Sequence, residues 1–300
     1  MATLRDIRQR INGVKNTAKI TQAMKMVAAA KMNRAQNAIE SARPYVDKMS
    51  EVIAHLTSGL TGEYFNPLLS VHEKTKNIKV IVISSDKGLC GAFNNNLFKY
   101  ANKIIDNEIK DQFPEAKHEL IPVGKKAFDY YKKRDLNLDK HYTDVFSNLQ
   151  FEIVPEILEE IKINFKNENV DRVFIFYNEF VSVATQNPKY IQLLPIEPDA
   201  LTSSDKEDDG SADETDYIFE PGKAQILDEL IPNHVNIRLW RSLLESNAAE
   251  QAARMMAMDN ATNNANDLIN ELNLSYNKQR QAEITSEMLE IVSGANALQD

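Results

Sequence analysis

The sequence predicts a mixed α/β fold: a long antiparallel coiled coil of N- and C-terminal helices with an inserted Rossmann-like α/β domain. Three observations predict it. The stretch from about Val235 to Leu298 has no proline and no glycine before Gly294, and it is rich in Ala, Met, Leu, Glu and Gln, all good helix formers. Near its end Ile284, Met288, Ile291, Ala295 and Leu298 recur at steps of four and three, a heptad seam. At ~1.5 Å per residue such a helix spans roughly 95 Å, too long for a compact domain, so it is expected to project and to need a partner for its apolar stripe. The second observation supplies the partner. From Leu4 the same step visits Ile7, Ile11, Val14, Ala18, Thr21, Lys25, Ala28, Met32, Ala35, Ile39, Ala42, Val46, Met49, Ile53 and Leu56, with only Thr21 and Lys25 polar. A repeat sustained over so many heptads argues for a coiled coil, and an antiparallel hairpin is expected to bring Ile11 near Ile284. The third observation is a central set of short apolar runs separated by helical stretches.

In chain order, the first helix is expected from about Thr3 to Ser58, closed by Gly59. Pro44 lacks an N–H and is expected to kink or loosen it, although the heptad resumes in phase at Val46. Residues 59–77 read as a linker. Ile78–Ser84 (IKVIVIS) is a continuous β-branched run, the mark of a strand buried on both faces. A helix follows from about Asn94 to Gln112, then a strand over Leu120–Val123. Gly124 opens a Lys-rich helix to about Arg134, residues 151–167 are helical, and Arg172–Tyr177 is another buried strand. Residues 179–196 alternate as an antiparallel edge pair would. Residues 202–216 (TSSDKEDDGSADETD) are acidic and of low complexity, a composition expected to be mobile. Residues 223–231 suggest a short helix that Pro232 separates from the long C-terminal one. The expected domains are therefore 1–58, an α/β domain over 59–232 and a C-terminal helix over 233–300.

Composition narrows the function classes. No apolar run approaches the ~18 residues of a membrane span, and MATLRDIRQR enters the heptad at Leu4, so no signal or transit peptide is expected. A single cysteine, Cys90, excludes an internal disulfide and a cysteine-based zinc site. The net charge of −9 is unevenly spread. Residues 1–50 hold ten Lys and Arg against three acids, whereas residues 199–229 hold eleven acids against Lys206 and Lys223. The basic helix is either a solvated face or one that slides against acidic surfaces. The acidic total and the lack of interleaved aromatics argue against nucleic acid.

One stretch invites a catalytic reading. SSDKGLCGAFNNN (84–96) lies between a strand and a helix, where phosphates bind. Its glycines, Gly88 and Gly91, fit neither G-x-x-x-x-G-K-[ST] nor G-x-G-x-x-G, so they are expected only to permit a tight turn. Cys90 is expected to be a buried packing residue, and the five histidines sit at no ligand spacing. Glu287 and Glu290 share a helix face, which is ordinary for a wet face. The residues thus describe an α/β base carrying a long helical arm, with no catalytic, cofactor or metal site.

ITSEMLEIVSGANA (284–297), with Ile284, Thr285, Glu287, Glu290, Gly294 and Ala295 in its positions, resembles the C-terminal signature of the gamma subunit of F-type ATP synthases. IRQRINGVKNTAKITQAMKMVAAAKM, DKGLCGAFN and EQAARMMAMDNAT resemble further gamma segments in the same order. The resemblance implies a central rotor shaft turning inside a ring of alpha and beta subunits, with epsilon, delta and the membrane c-ring as further partners, no nucleic acid and no homo-oligomer. It implies a non-catalytic subunit without cofactor, peripheral on the cytoplasmic face of the bacterial plasma (inner) membrane. By the same resemblance Met24, Arg254, Gln281, Thr285, Glu287 and Glu290 are expected to face the beta subunits, and Tyr217 and Phe219 the epsilon and c-ring side; Lys25, beside Met24, is expected on the same surface because it interrupts the otherwise apolar seam. The paired cysteines of the chloroplast version are missing, so thiol regulation is not expected. A coiled-coil tether on an α/β base remains the alternative.

Overall fold

The computed structural model describes residues 3–58, 64–134, 136–197, 220 and 222–297. It divides into two compact units, one of Ala30–Ala253 and one of Met1–Ala29 with Arg254–Asp300. Helix α1 is Leu4–Ser58. Thr3 and Asp6 start it reciprocally: the Thr3 N–H donates to Asp6 Oδ2 (3.0 Å) and the Asp6 N–H to Thr3 Oγ1 (3.2 Å), a capping box that satisfies otherwise orphaned donors. None of the sixteen expected seam positions from Leu4 to Leu56 is exposed, including Thr21 and Lys25. The helix is unbroken at Pro44.

Within the larger unit a four-stranded sheet runs β2-β1-β3-β4, with β1 at Asn77–Ile83, β2 at Lys117–Val123, β3 at Arg172–Phe180 and β4 at Gln186–Leu194. Strand β1 pairs parallel with β2 and β3, and β4 closes one edge antiparallel to β3. The expected edge pair is thus a single strand, because β3 itself extends to Phe180 to meet it. Pro188, which cannot donate to a ladder, is tolerated on that edge. The β-branched run of β1 is buried on both faces as its composition requires. Ile78, Val80 and Val82 face α2 (Phe93–Ile104) and α3 (Lys125–Tyr131). Ile81 and Ile83 join the core formed with α4 (Ile153–Lys166) and with Met49, Ile53 and Leu56 of α1. Helix α2 runs on through a π turn at Ile105–Ile109.

The C-terminal helix differs from expectation. Helix α5 is a single element, Lys223–Ala297, with Pro232 inside it. Leu227, Ile231, Val235 and Leu239 form one stripe across Pro232, each with no exposed surface. Their burial stabilises by roughly 6–12 kcal/mol in total, against about 3 kcal/mol for an interior proline, so packing wins. The acidic stretch 202–216 lies outside the described residues.

The linker is anchored by a residue the sequence did not single out. Asp171, buried at the start of β3, accepts from the N–H groups of Lys76 (2.7 Å) and Asn77 (2.8 Å), and its Oδ1 meets His72 Nδ1 at 2.9 Å. Burial pushes its carboxyl up, but the N–H groups of Asn77 and Lys76, with His72, outweigh this and hold it below the usual carboxylate value.

Candidate functional site

In the smaller unit the helices pair antiparallel through three polar contacts. Arg8 Nη2 donates to Tyr276 Oη at 2.7 Å, with the guanidinium over the ring. The Thr21 and Thr262 hydroxyls meet at 2.7 Å, both buried. Lys25 Nζ reaches Asp259 Oδ1 at 2.6 Å. Ascending α1 by these steps descends α5 by nearly equal ones, so the contacts fix one register. Lys25, which interrupts the apolar seam in sequence, is accounted for here by Asp259. Asp259, Thr262 and Tyr276 were not predicted; stepping the α1 heptad back along α5 would have found them, had the register been known.

That register moves the partner of Ile11 to the turn around Leu272. This is about three helical turns short of Ile284, so the expected pairing of Ile11 with Ile284 is incorrect. Helix α5 overruns the start of α1. Every residue from Arg280 to Ser293 is exposed, and the expected seam residues Ile284, Met288 and Ile291 are 47%, 59% and 70% exposed, with Leu289 and Val292 beside them. The heptad there has no partner among the described residues. Burial at Ala295 is not described and Leu298 lies outside the described residues.

The seven residues expected at the beta-subunit contact fall into two groups. Met24, Lys25 and Arg254 are half-buried at one level of the hairpin. Gln281, Thr285, Glu287 and Glu290 are exposed on the overrunning end of α5, roughly 40 Å further along the helix. The Thr285 hydroxyl donates back to the Gln281 carbonyl at 2.9 Å. Arg5, Lys15 and Lys19 are exposed along one flank of α1 and Arg10 on the other, so this unit offers cations along its flanks and an apolar end. Tyr217 and Phe219 lie outside the described residues.

The strand-to-helix turn at 84–96 spends polar groups on itself and on the backbone of neighbouring segments. The Ser85 N–H donates to Asn94 Oδ1 (3.1 Å), and Asn94 Nδ2 donates to Ser85 Oγ (2.7 Å). The Asp86 carboxylate accepts from the backbone N–H groups of Lys125, Asp144 and Phe146 at 2.9–3.0 Å, tying the turn after β1 to the start of α3 and to the segment at 144–146. Sequence reading weighed the glycines and missed Asp86. Of the turn residues Gly91 and Leu89 adopt positive φ; Gly88 does not need its freedom. Cys90 is buried against Phe93, Ala249, Ala253 and Phe180. Gly124 is required by contact as well as by its φ of 95°, since a Cβ there would lie 2.2 Å from the Ser84 carbonyl oxygen.

A family described as ATP synthase matches residues 3–298. The ATP synthase gamma chain of Prosthecochloris aestuarii is 48% identical over 301 residues, covering 100% of this chain and 99% of that one. The gamma chain of Chlorobium limicola is 46% identical over 300 residues, covering both chains in full. Among solved structures, a chain from the Euglena gracilis mitochondrial ATP synthase OSCP/F1/c-ring aligns with TM-score 0.67 at 22% identity, covering 98% of this chain and 94% of that chain. A chain from the Tetrahymena thermophila central stalk/c-ring aligns with TM-score 0.54 at 25% identity, covering 81% and 99%. Matched end to end at close to half identity, the chain belongs to the gamma-chain family of ATP synthases.

Proposed function

We propose that this chain is the central rotor shaft of an F-type ATP synthase, coupling proton flow through the membrane sector to ATP synthesis and hydrolysis in the alpha and beta ring by rotation. The observation that carries this is the full-length match to ATP synthase gamma chains. Its partners are then the alpha and beta subunits, epsilon, delta and the c-ring. The subunit is itself non-catalytic, and it sits peripherally on the cytoplasmic face of the bacterial plasma membrane. No helix among the described residues is long and apolar enough to cross a membrane. Residues 1–58 and 233–300 serve as the shaft and 59–232 as its base, with Tyr217 and Phe219 toward the epsilon and c-ring side.

The mechanism rests on unequal contact. A shaft biases a catalytic site only if it binds that site's conformations with different affinity. By reciprocity, nucleotide turnover then biases the shaft angle. Met24, Lys25 and Arg254 contact the beta subunits at one level, and Gln281, Thr285, Glu287 and Glu290 at a second. Contacts at two levels resist tilting as well as slipping.

Purification through a tag on this chain tests the proposal. Two larger ATPase subunits should co-purify, each in molar excess over it. In membrane vesicles Met24→Lys, which adds a cation beside Lys25 at the first level, should leave hydrolysis substantial and lower ion pumping per ATP. A tagged chain that recovers no ATPase, or a variant that pumps as well per ATP as the parent, counts against the reading.

A further inference from the structure

The seam of the larger unit opens at one place. Ala35 and Met49 are buried, but Ile39, Ala42 and Val46 between them are only half-buried. There α1, α5, the end of β3 and Phe151 surround a partly open cavity of about 890 Å³. Ligand pockets commonly run from about 300 to 1,000 Å³. Four aromatic rings line it: Tyr45, Phe151, Phe180 and Trp240. Phe151 meets Trp240 edge-on at 5.7 Å between centroids, and Tyr45 Oη accepts from Asn233 Nδ2 at 2.9 Å, which fixes that ring. Tyr45, Phe151 and Val181 remain exposed around its mouth. Single exposed apolar residues are ordinary, but several gathered around one cavity mark a binding groove.

The charges of the wall decide the ligand class, because they are spent on one another. Lys189 Nζ donates to Glu179 Oε1 at 2.6 Å, and Arg241 Nε donates to Glu245 Oε1 at 2.8 Å. The Glu245 carboxylate is buried under Tyr177, with Arg238 close by. Glu40, Arg43 and Asp47 follow one another on α1 at steps of three and four, the spacing at which helical charges offset each other. Four acids thus stand with four cations, and the wall favours neither sign. A charged ligand would give up its water here and find no unspent partner. An uncharged apolar body gains by leaving water and by meeting ring faces and edges.

We propose that this cavity binds an uncharged small molecule with an aromatic or polycyclic body, held among Tyr45, Phe151, Phe180 and Trp240. The site lies wholly within the larger unit, and it is separate from the shaft surfaces assigned to the beta subunits.

Trp240 is the only tryptophan of the chain, so intrinsic fluorescence of the full-length chain reads the cavity wall directly. The probes are N-phenyl-1-naphthylamine, uncharged at neutral pH, 8-anilinonaphthalene-1-sulfonate, which adds a sulfonate to that body, and N-(1-naphthyl)ethylenediamine, which carries a protonated amine. The uncharged probe should quench Trp240 saturably, with a Kd at least tenfold below that of either charged one. Ala42→Phe, which fills the cavity from α1, should abolish the saturable quenching while the melting temperature holds. Should that variant fold poorly, Phe151→Ser, at an exposed ring of the mouth, is the second test and should weaken the uncharged probe at least fivefold. Met288→Gln with Ile291→Gln, at the exposed apolar end of α5, should leave the quenching unchanged. Equal binding of charged and uncharged probes, a response that never saturates, undiminished binding in whichever cavity variant folds, or loss of quenching in the α5 double variant would overturn the proposal.

Discussion

The overrunning end of α5 yields a prediction whose size follows from exposure. Met288 is 59% and Ile291 70% exposed, so about two-thirds of each side chain is still available to a partner. Full burial of such a side chain is worth ~1.5–3 kcal/mol, which leaves ~1–2 kcal/mol for each residue on docking. Replacing both, Met288→Gln with Ile291→Gln, keeps helix propensity and side-chain length while removing the apolar surface. The isolated chain should be unaffected, within about 0.5 kcal/mol in urea unfolding, as for other surface changes. Association with a reconstituted alpha and beta ring, followed by fluorescence anisotropy of the labelled chain, should weaken by ~2–4 kcal/mol, or roughly 30- to 1,000-fold. The stripe would be intramolecular, and the reasoning refuted, if the isolated double variant unfolded several kcal/mol more easily. Unchanged affinity for the ring would equally remove this end from the interface.

Two further outcomes follow from the larger unit and from the register. Asp171→Asn removes the charge and one acceptor face from a carboxylate bound to two backbone N–H groups and His72, so urea unfolding at pH 7 should show a loss of about 3 kcal/mol, since bonds to charged groups contribute ~1.5–3 kcal/mol each. Because the folded pKa of Asp171 is depressed, its contribution is fully present above the ordinary aspartate value near ~3.9 and disappears as pH falls through the folded value. The gap between parent and variant should therefore close in acid; a gap that stays constant to pH 2 would assign the loss to shape alone. In the smaller unit, paired cysteines at Ile11 and Leu272 should form a disulfide readily, whereas cysteines at Ile11 and Ile284 should not, because a disulfide needs Cα atoms within about 7 Å. The opposite pattern, read on a non-reducing gel, would mean a different register.

What the sequence determined by itself was periodic. The heptad from Leu4 to Leu56 specified a helix and its buried face, including polar Thr21 and Lys25, because side-chain direction in a helix depends only on residue spacing. The β-branched run at Ile78 specified a strand buried on both faces for the same reason. Family membership was legible because the matching segments keep both their residues and their order. Tertiary structure decided what periodicity leaves free. A heptad names a face and is silent on its register, so only the Thr21–Thr262 and Lys25–Asp259 contacts could show that the seam at Ile284, Met288 and Ile291 overruns its intramolecular partner. Pro232 signalled a break by local rules, yet the packing of Leu227, Ile231, Val235 and Leu239 outweighed it. Asp86 and Asp171 gave no spacing signal, since their partners are backbone N–H groups from chain segments far away in sequence. The cavity at Trp240 arises where helices, sheet end and loop fail to close on one another, and no single stretch of sequence carries such a gap.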